Sequence, residues 1–179
     1  MACVFLAQRL IDPFGSDRPA LQRARYGVIE VCRSRLTAIH TRRWPKLASA
    51  LEVEWWGRRH HQRSRGDRCW IYYNQPRSAP NFLALKYIVS DRDCRLETFH
   101  RAVDVLDLVA EVKRSDALVC DAWNLRISDR LFARWGWEPH CPARWHRHFI
   151  KRFYGVYPEP SGEVLAAIGR DSTRAPAMV

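Results

Sequence analysis

The chain has 179 residues, 47% of them hydrophobic, and a formal net charge of +11. That length favours one domain with a sizeable core, and the apolar content excludes a disordered chain. No run approaches the ~20 apolar residues of a membrane-spanning helix. The six cysteines are scattered without a C-x-x-C pair, so a disulfide scaffold is not expected. The short apolar stretch Ala2 to Ala7 has no basic region before it, so no secretory signal is expected, and the reading is a soluble, cytoplasmic protein with no membrane partner.

Residues 2–11 read as a first strand, broken by Asp12-Pro13-Phe14-Gly15. Ser16-Asp17-Arg18-Pro19 is a helix start. Leu21, Ala24, Val28 and Val31 then recur at three or four, and Leu36 and Ile39 continue the pattern, which predicts one helix or two short ones over about 19–41. Trp44-Pro45 interrupts it, with a short helix expected over 45–50. Leu51 to Trp55 alternates as a strand does, and a helix over 45–57 is its competitor. The densest basic segment, Arg58 to Arg68, is read as a hairpin tip around Gly66. Cys69 to Asn74 is rich in strand formers. Asn81 to Val89 reads as a long, largely buried strand, followed by a charged turn from Ser90 to Arg95.

Leu96 to Arg114 is the clearest helix. Leu96, Phe99, Val103, Leu106, Val109 and Val112 make one face, and Glu97, Arg101, Asp104, Asp107 and Glu111 the other. Ala117 to Cys120 is a short apolar run, as a strand covered on both faces would be. Asn124 is placed to cap a helix carrying Ile127, Leu131 and Trp135 on one stripe, and Gly136 to stop it. Arg144 to Tyr154 reads as a last strand. The expected organisation is one domain over 1–157 and a flexible tail over 158–179, where Pro, Gly and Ser accumulate.

Asn124, Ser128, Leu131, Phe132, Gly136 and Trp137 resemble a signature of the GNAT superfamily of acyl-CoA-dependent N-acetyltransferases. In it a strand leads through an Asn-containing turn into a helix that ends at an aromatic-flanked glycine. The order of elements over about residues 2–155 is similar as well. The resemblance implies an α/β (α+β) fold: a mixed, mainly antiparallel central sheet flanked by helices, like that of the acyl-CoA N-acyltransferases. It implies acetyl transfer from acetyl-CoA to the amine of a small molecule or peptide. Carried over by position, Ile88 and Val89 would offer backbone groups to the pantetheine arm. Ser90, Arg92 and Arg95 would meet the pyrophosphate at a helix N-terminus, where free amides favour anions. Asn124 and Ser128 would complete the cofactor contacts.

The family's loop at that point is glycine-rich, whereas this chain has Ser90-Asp91-Arg92-Asp93-Cys94-Arg95. Arg92 and Arg95 would then hold phosphate by side chain. The alternative is a chain that keeps the fold with a lost or changed cofactor site. Amine acylation needs a base and an acid. Glu52 and Glu54 are the candidate bases, with Asn124 as a further catalytic candidate. Phe132 stands where many members have tyrosine, so the acid would come from Tyr72, Tyr73, Tyr87 or Tyr154.

Residues 1–80 carry 15 Lys/Arg against 6 Asp/Glu. Such a surface attracts polyanions, although GC-rich coding also produces arginine-rich chains. Nucleic-acid binding is therefore the second functional reading, through Arg58–Arg68 and through Arg144, Arg147, Lys151 and Arg152 beside Trp145, Phe149 and Phe153. A non-catalytic interaction domain is the third. His140, Cys141, His146 and His148 lack finger spacing, and no metal site is expected.

Overall fold

The computed structural model describes residues 7–10, 12–13, 15–43, 65–122, 128–141, 147–162 and 164–166. Its strands are β1 (Ala7–Leu10), β2 (Tyr26–Cys32), β3 (Arg35–Arg42), β4 (Arg68–Asn74), β5 (Phe82–Ser90), β6 (Ala117–Ala122), β7 (Glu138–Pro139) and β8 (Arg147–Arg152). Its helices are α1 (Arg18–Arg23), α2 (Leu96–Lys113) and α3 (Asp129–Arg134). The strands form one sheet in the order β1-β3-β2-β4-β5-β6-β8-β7. Every neighbouring pair is antiparallel except β5 and β6, which are parallel. The fold is therefore a mixed, mainly antiparallel sheet flanked by helices. No described helix is long and apolar enough to cross a membrane.

The long helix organises the core. Ten of its residues are buried, among them Ala102, Val105, Leu106 and Val109, and they pack in one cluster with Ile29, Val31, Ile71, Leu83 and Leu118 of the sheet. Burying a side chain of this size stabilises by about 1.5–3 kcal/mol before entropy is subtracted. At the other end of α2, Lys113 Nζ donates to the carbonyls of Gln22 and Ala24, and Gln22 Nε2 donates to the carbonyl of Val112. These bonds tie α1 to α2. Val164, from the stretch beyond Tyr157, is fully buried in the same cluster.

The helix expected over 19–41 is corrected. Only α1 is helical there, and the rest is the hairpin β2–β3. Val28, Ile29, Val31, Thr37, Ile39 and Thr41 are β-branched and prefer the pleated surface. The turn between the strands carries no local signal, having neither glycine nor asparagine. Arg33 and Ser34 take positive φ, 50° and 59°, which favours the tight turn that matches strand twist. Tertiary bonds hold that unfavourable backbone. Arg33 N donates to Asp67 O at 2.8 Å, and Ser34 N donates to Thr98 Oγ1 at 3.0 Å.

Two smaller expectations also change. The cap of α3 is Ser128, whose Oγ accepts from Leu131 N at 3.3 Å. Asn124, the residue expected in that role, lies outside the described residues. The buried residue of α3 is Phe132, not a member of the expected stripe; its ring stacks on Phe149 at 4.1 Å and meets the edge of Trp137 at 6.0 Å. Gly136 ends this segment with φ +78°, as expected of a helix stop. The helix at 45–50 and the strand at 51–55 fall outside the described residues.

Candidate functional site

β5 and β6 pair over four residues only, from Phe82 opposite Ala117 to Leu85 opposite Cys120. The cause is visible on the other side of β5. Tyr72 of β4 faces Tyr87, but Tyr73 faces Leu85, so Lys86 is an extra residue. Such a bulge bends its strand and adds twist, and β5 turns away from β6 at that point. Burial follows the geometry. Leu83 and Leu85 are buried, whereas Tyr87, Ile88, Val89 and Ser90 are all half-buried. Among the described residues no strand pairs with the β6-side edge of β5 beyond Leu85. The result is a gap in the sheet with a main-chain wall.

The gap opens toward the N-terminus of α2. Arg95 is its N-cap residue, and no side chain caps the helix. Arg95 N donates to Asp67 Oδ1 at 2.9 Å, while the Arg95 guanidinium sits 4.0 Å from the same carboxylate and is largely exposed. Arg92 is exposed and Asp91 is buried. An uncapped helix end of 18 residues presents amides and a partial positive charge. The arginines add to it; the Asp91 and Asp93 side chains oppose it. Around this end lie further exposed cations, Arg33 and Arg35 of the β2–β3 turn and Arg65 and Arg68 before and at the start of β4.

The C-terminal end of α3 packs against the first turns of α2. The Trp135 ring, at its C-terminus, lies 5.2 Å from Phe99 and 4.9 Å from His100. Below these rings a cavity of about 340 Å³ is lined by His100, Asp104, Asp107, Trp135, Gly136 and Lys151, among others. Asp107, expected on the polar face of the helix, is buried and bonded by Oδ2 to Lys151 Nζ at 2.6 Å. Burial pushes its carboxyl up to about 6, and the ammonium opposes the rise.

Of the residues assigned from sequence, Ile88, Val89 and Ser90 lie on the half of β5 beyond its pairing with β6, and Arg92 and Arg95 on the turn that follows. Ser128 is at the start of α3, where it caps that helix. Glu52, Glu54 and Asn124 lie outside the described residues. Of the candidate acids, Tyr73 is buried and its phenol is pushed above the usual range by burial. Tyr72 and Tyr87 stack on each other at 4.4 Å as a cross-strand pair, and Tyr154 is highly exposed. In the basic aromatic strand, Phe149 and Phe153 are buried, and Arg147, Arg152 and Lys151 face Asp129, Glu138 and Asp107.

The sequence did not show the bulge at Lys86 or the pairing of Asp107 with Lys151. Lys86 carried a signal, since one cation interrupts an otherwise apolar strand. The Asp107–Lys151 pair carried none, because 44 residues separate its members. No family model and no curated protein matches the chain.

Proposed function

We propose that the protein is an acyl-CoA-dependent N-acyltransferase, a divergent relative of the GNAT superfamily that transfers an acetyl group to an amine. The observation that carries this reading is the parting of β5 from β6 at the Lys86 bulge. A strand edge there can hydrogen-bond an amide-bearing arm as a further strand would. The arm of acetyl-CoA bears such amides, and when bound it supplies an activated thioester. Residues Tyr87–Ser90 would hold that arm through backbone groups. The amides at the start of α2 would receive the pyrophosphate, with Arg92 and Arg95 doing by charge what glycines do elsewhere by close approach. Ser128 and Asn124 would complete the cofactor contacts, as the resemblance implies. Glu52 or Glu54 would take the proton from the acceptor ammonium, an amine on a small molecule or peptide.

Thermal unfolding with and without acetyl-CoA tests the reading. A ligand that binds only the native state at a hundred times its Kd stabilises by about 2.7 kcal/mol. For a chain of this size that is a rise of roughly 5–10 °C. No rise at millimolar acetyl-CoA overturns the assignment. If random oligonucleotides bind instead, with affinity falling steeply in salt, the exposed arginines around α2 serve nucleic acid.

A further inference from the structure

The cavity between α2, the end of α3 and β8 is separate from the gap at β5. None of its lining residues belongs to β5 or to the first turn of α2. Its volume of about 340 Å³ lies at the lower end of the ~300–1,000 Å³ usual for small-molecule sites.

Three ionic groups that line it have bonding capacity left over. Asp107 is only 5% exposed. Its Oδ2 accepts from Lys151 Nζ at 2.6 Å, but its buried Oδ1 has no hydrogen-bond partner among the described residues. An ammonium has three donors. Lys151, itself buried, uses one of them, on Asp107, among the described residues. Arg134 is exposed at the end of α3, and its guanidinium makes no ion pair among the described residues. The other carboxylate of the lining is already engaged: Asp104 accepts from Arg101 Nη1 at 3.2 Å and lies 3.6 Å from His100 Nε2.

The groups sit at two depths, with Asp107 and Lys151 at the buried end and Arg134 at the mouth. Val103, Trp135 and Pro158 supply apolar wall. Gly136 adds no side chain. A Cβ there would stand 3.3 Å from Lys151 Cε, so glycine leaves the turn room against the lysine stem. Buried charged groups with unmet bonds carry a desolvation penalty that a complementary ligand removes. A simple carboxylic acid would meet Lys151 and Arg134 and leave Asp107 Oδ1 unbonded. A simple amine would meet Oδ1 and leave both cations unmet. A small molecule that carries both groups on one carbon meets all three.

We propose that this cavity binds a free α-amino acid with an apolar side chain. The ligand ammonium donates to Asp107, the carboxylate accepts from Lys151 and Arg134, and the side chain lies against Val103, Trp135 and Pro158. The site stands on its own lining residues and does not require the acyltransferase reading.

Isothermal titration calorimetry of the full chain with L-leucine and with L-phenylalanine tests the proposal. Saturable one-to-one binding of at least one of them is expected at millimolar concentration or below. Hydrocinnamate keeps the ring and carboxylate of phenylalanine without the amine, and phenethylamine keeps the ring and amine without the carboxylate. Each should bind about tenfold more weakly than the tighter amino acid, or worse. Arg134→Gln changes an exposed residue, should leave the fold intact, and should weaken binding by a similar factor. Asp107→Asn should weaken it as well, and if that variant fails to fold, the wild type with the two half-molecules decides. No binding of either amino acid at millimolar concentration overturns the proposal. So does a half-molecule that binds as tightly as the amino acid, or binding that Arg134→Gln leaves unchanged.

Discussion

The two halves of β5 have similar sequences and opposite situations. Phe82 to Leu85 is paired on both edges, with β4 through Ala84 and Leu85, and its inward side chains are dry. Tyr87 to Ser90 keeps β4 and loses β6, and each of its side chains is half-buried. One inserted residue, Lys86, separates them. An apolar strand thus does two jobs: one half closes the core, and the other exposes main chain beside an uncapped helix.

That contrast can be broken by measurement. The largest effect is expected in the paired half. Leu83→Ala should cost about 2–5 kcal/mol in urea unfolding, because the site is fully buried. Ile88→Ala should cost less, about 1 kcal/mol, since that side chain is only partly buried against the core. Equal costs would mean that the two halves are equally packed.

Next comes the dryness above the paired half, where Lys151 lies opposite Leu118 and holds Asp107. The folded carboxyl titrates at about 6, above its ordinary 3.8. Its raised affinity for a proton stabilises the fold fully below about pH 4, and that contribution is lost as the pH rises through 6. The stability of the wild type relative to Asp107→Asn should therefore fall by about 3 kcal/mol across that range. A flat difference would mean that Asp107 is hydrated.

Deleting Lys86 sharpens the comparison directly. Without the extra residue β4 and β5 can pair in one register. The change in stability should stay within about 1 kcal/mol, while any stabilisation by acetyl-CoA disappears. Retained stabilisation would place the ligand elsewhere.

The smallest effects concern the starts of α2 and α3. Ser128→Ala removes the α3 cap and should cost about 1 kcal/mol. Arg95→Ser supplies α2 with a cap it lacks and should raise stability by roughly 0.5 kcal/mol while weakening anion binding. Circular dichroism melts would register both.

Much of the fold was legible. α2 shows a 3.6-residue period over five turns, which few alternatives can imitate. β4, β5 and β6 were found within a few residues, and Gly136 marked the stop it provides. The β2–β3 hairpin was not legible. Its apolar spacing mimics a helix, and its turn uses Arg33 and Ser34 where glycine or asparagine would have announced it. In the site, the strand end and the charged turn were found from their order along the chain. The bulge at Lys86 and the buried Asp107 were not.

Local pattern alone determined where the long helix and the central strands lie, how charge is distributed, and that a charged turn precedes α2. Side-chain periodicity and propensity act over a few residues and leave their mark in the order of letters. Tertiary structure alone decided that β5 leaves β6 after four residues, that Ser128 caps α3, and that an aspartate and a lysine 44 residues apart share a dry site. Those outcomes depend on which segments pack against which. Burial and pairing across the sheet are properties of that packing, and they change what a residue does without changing its name.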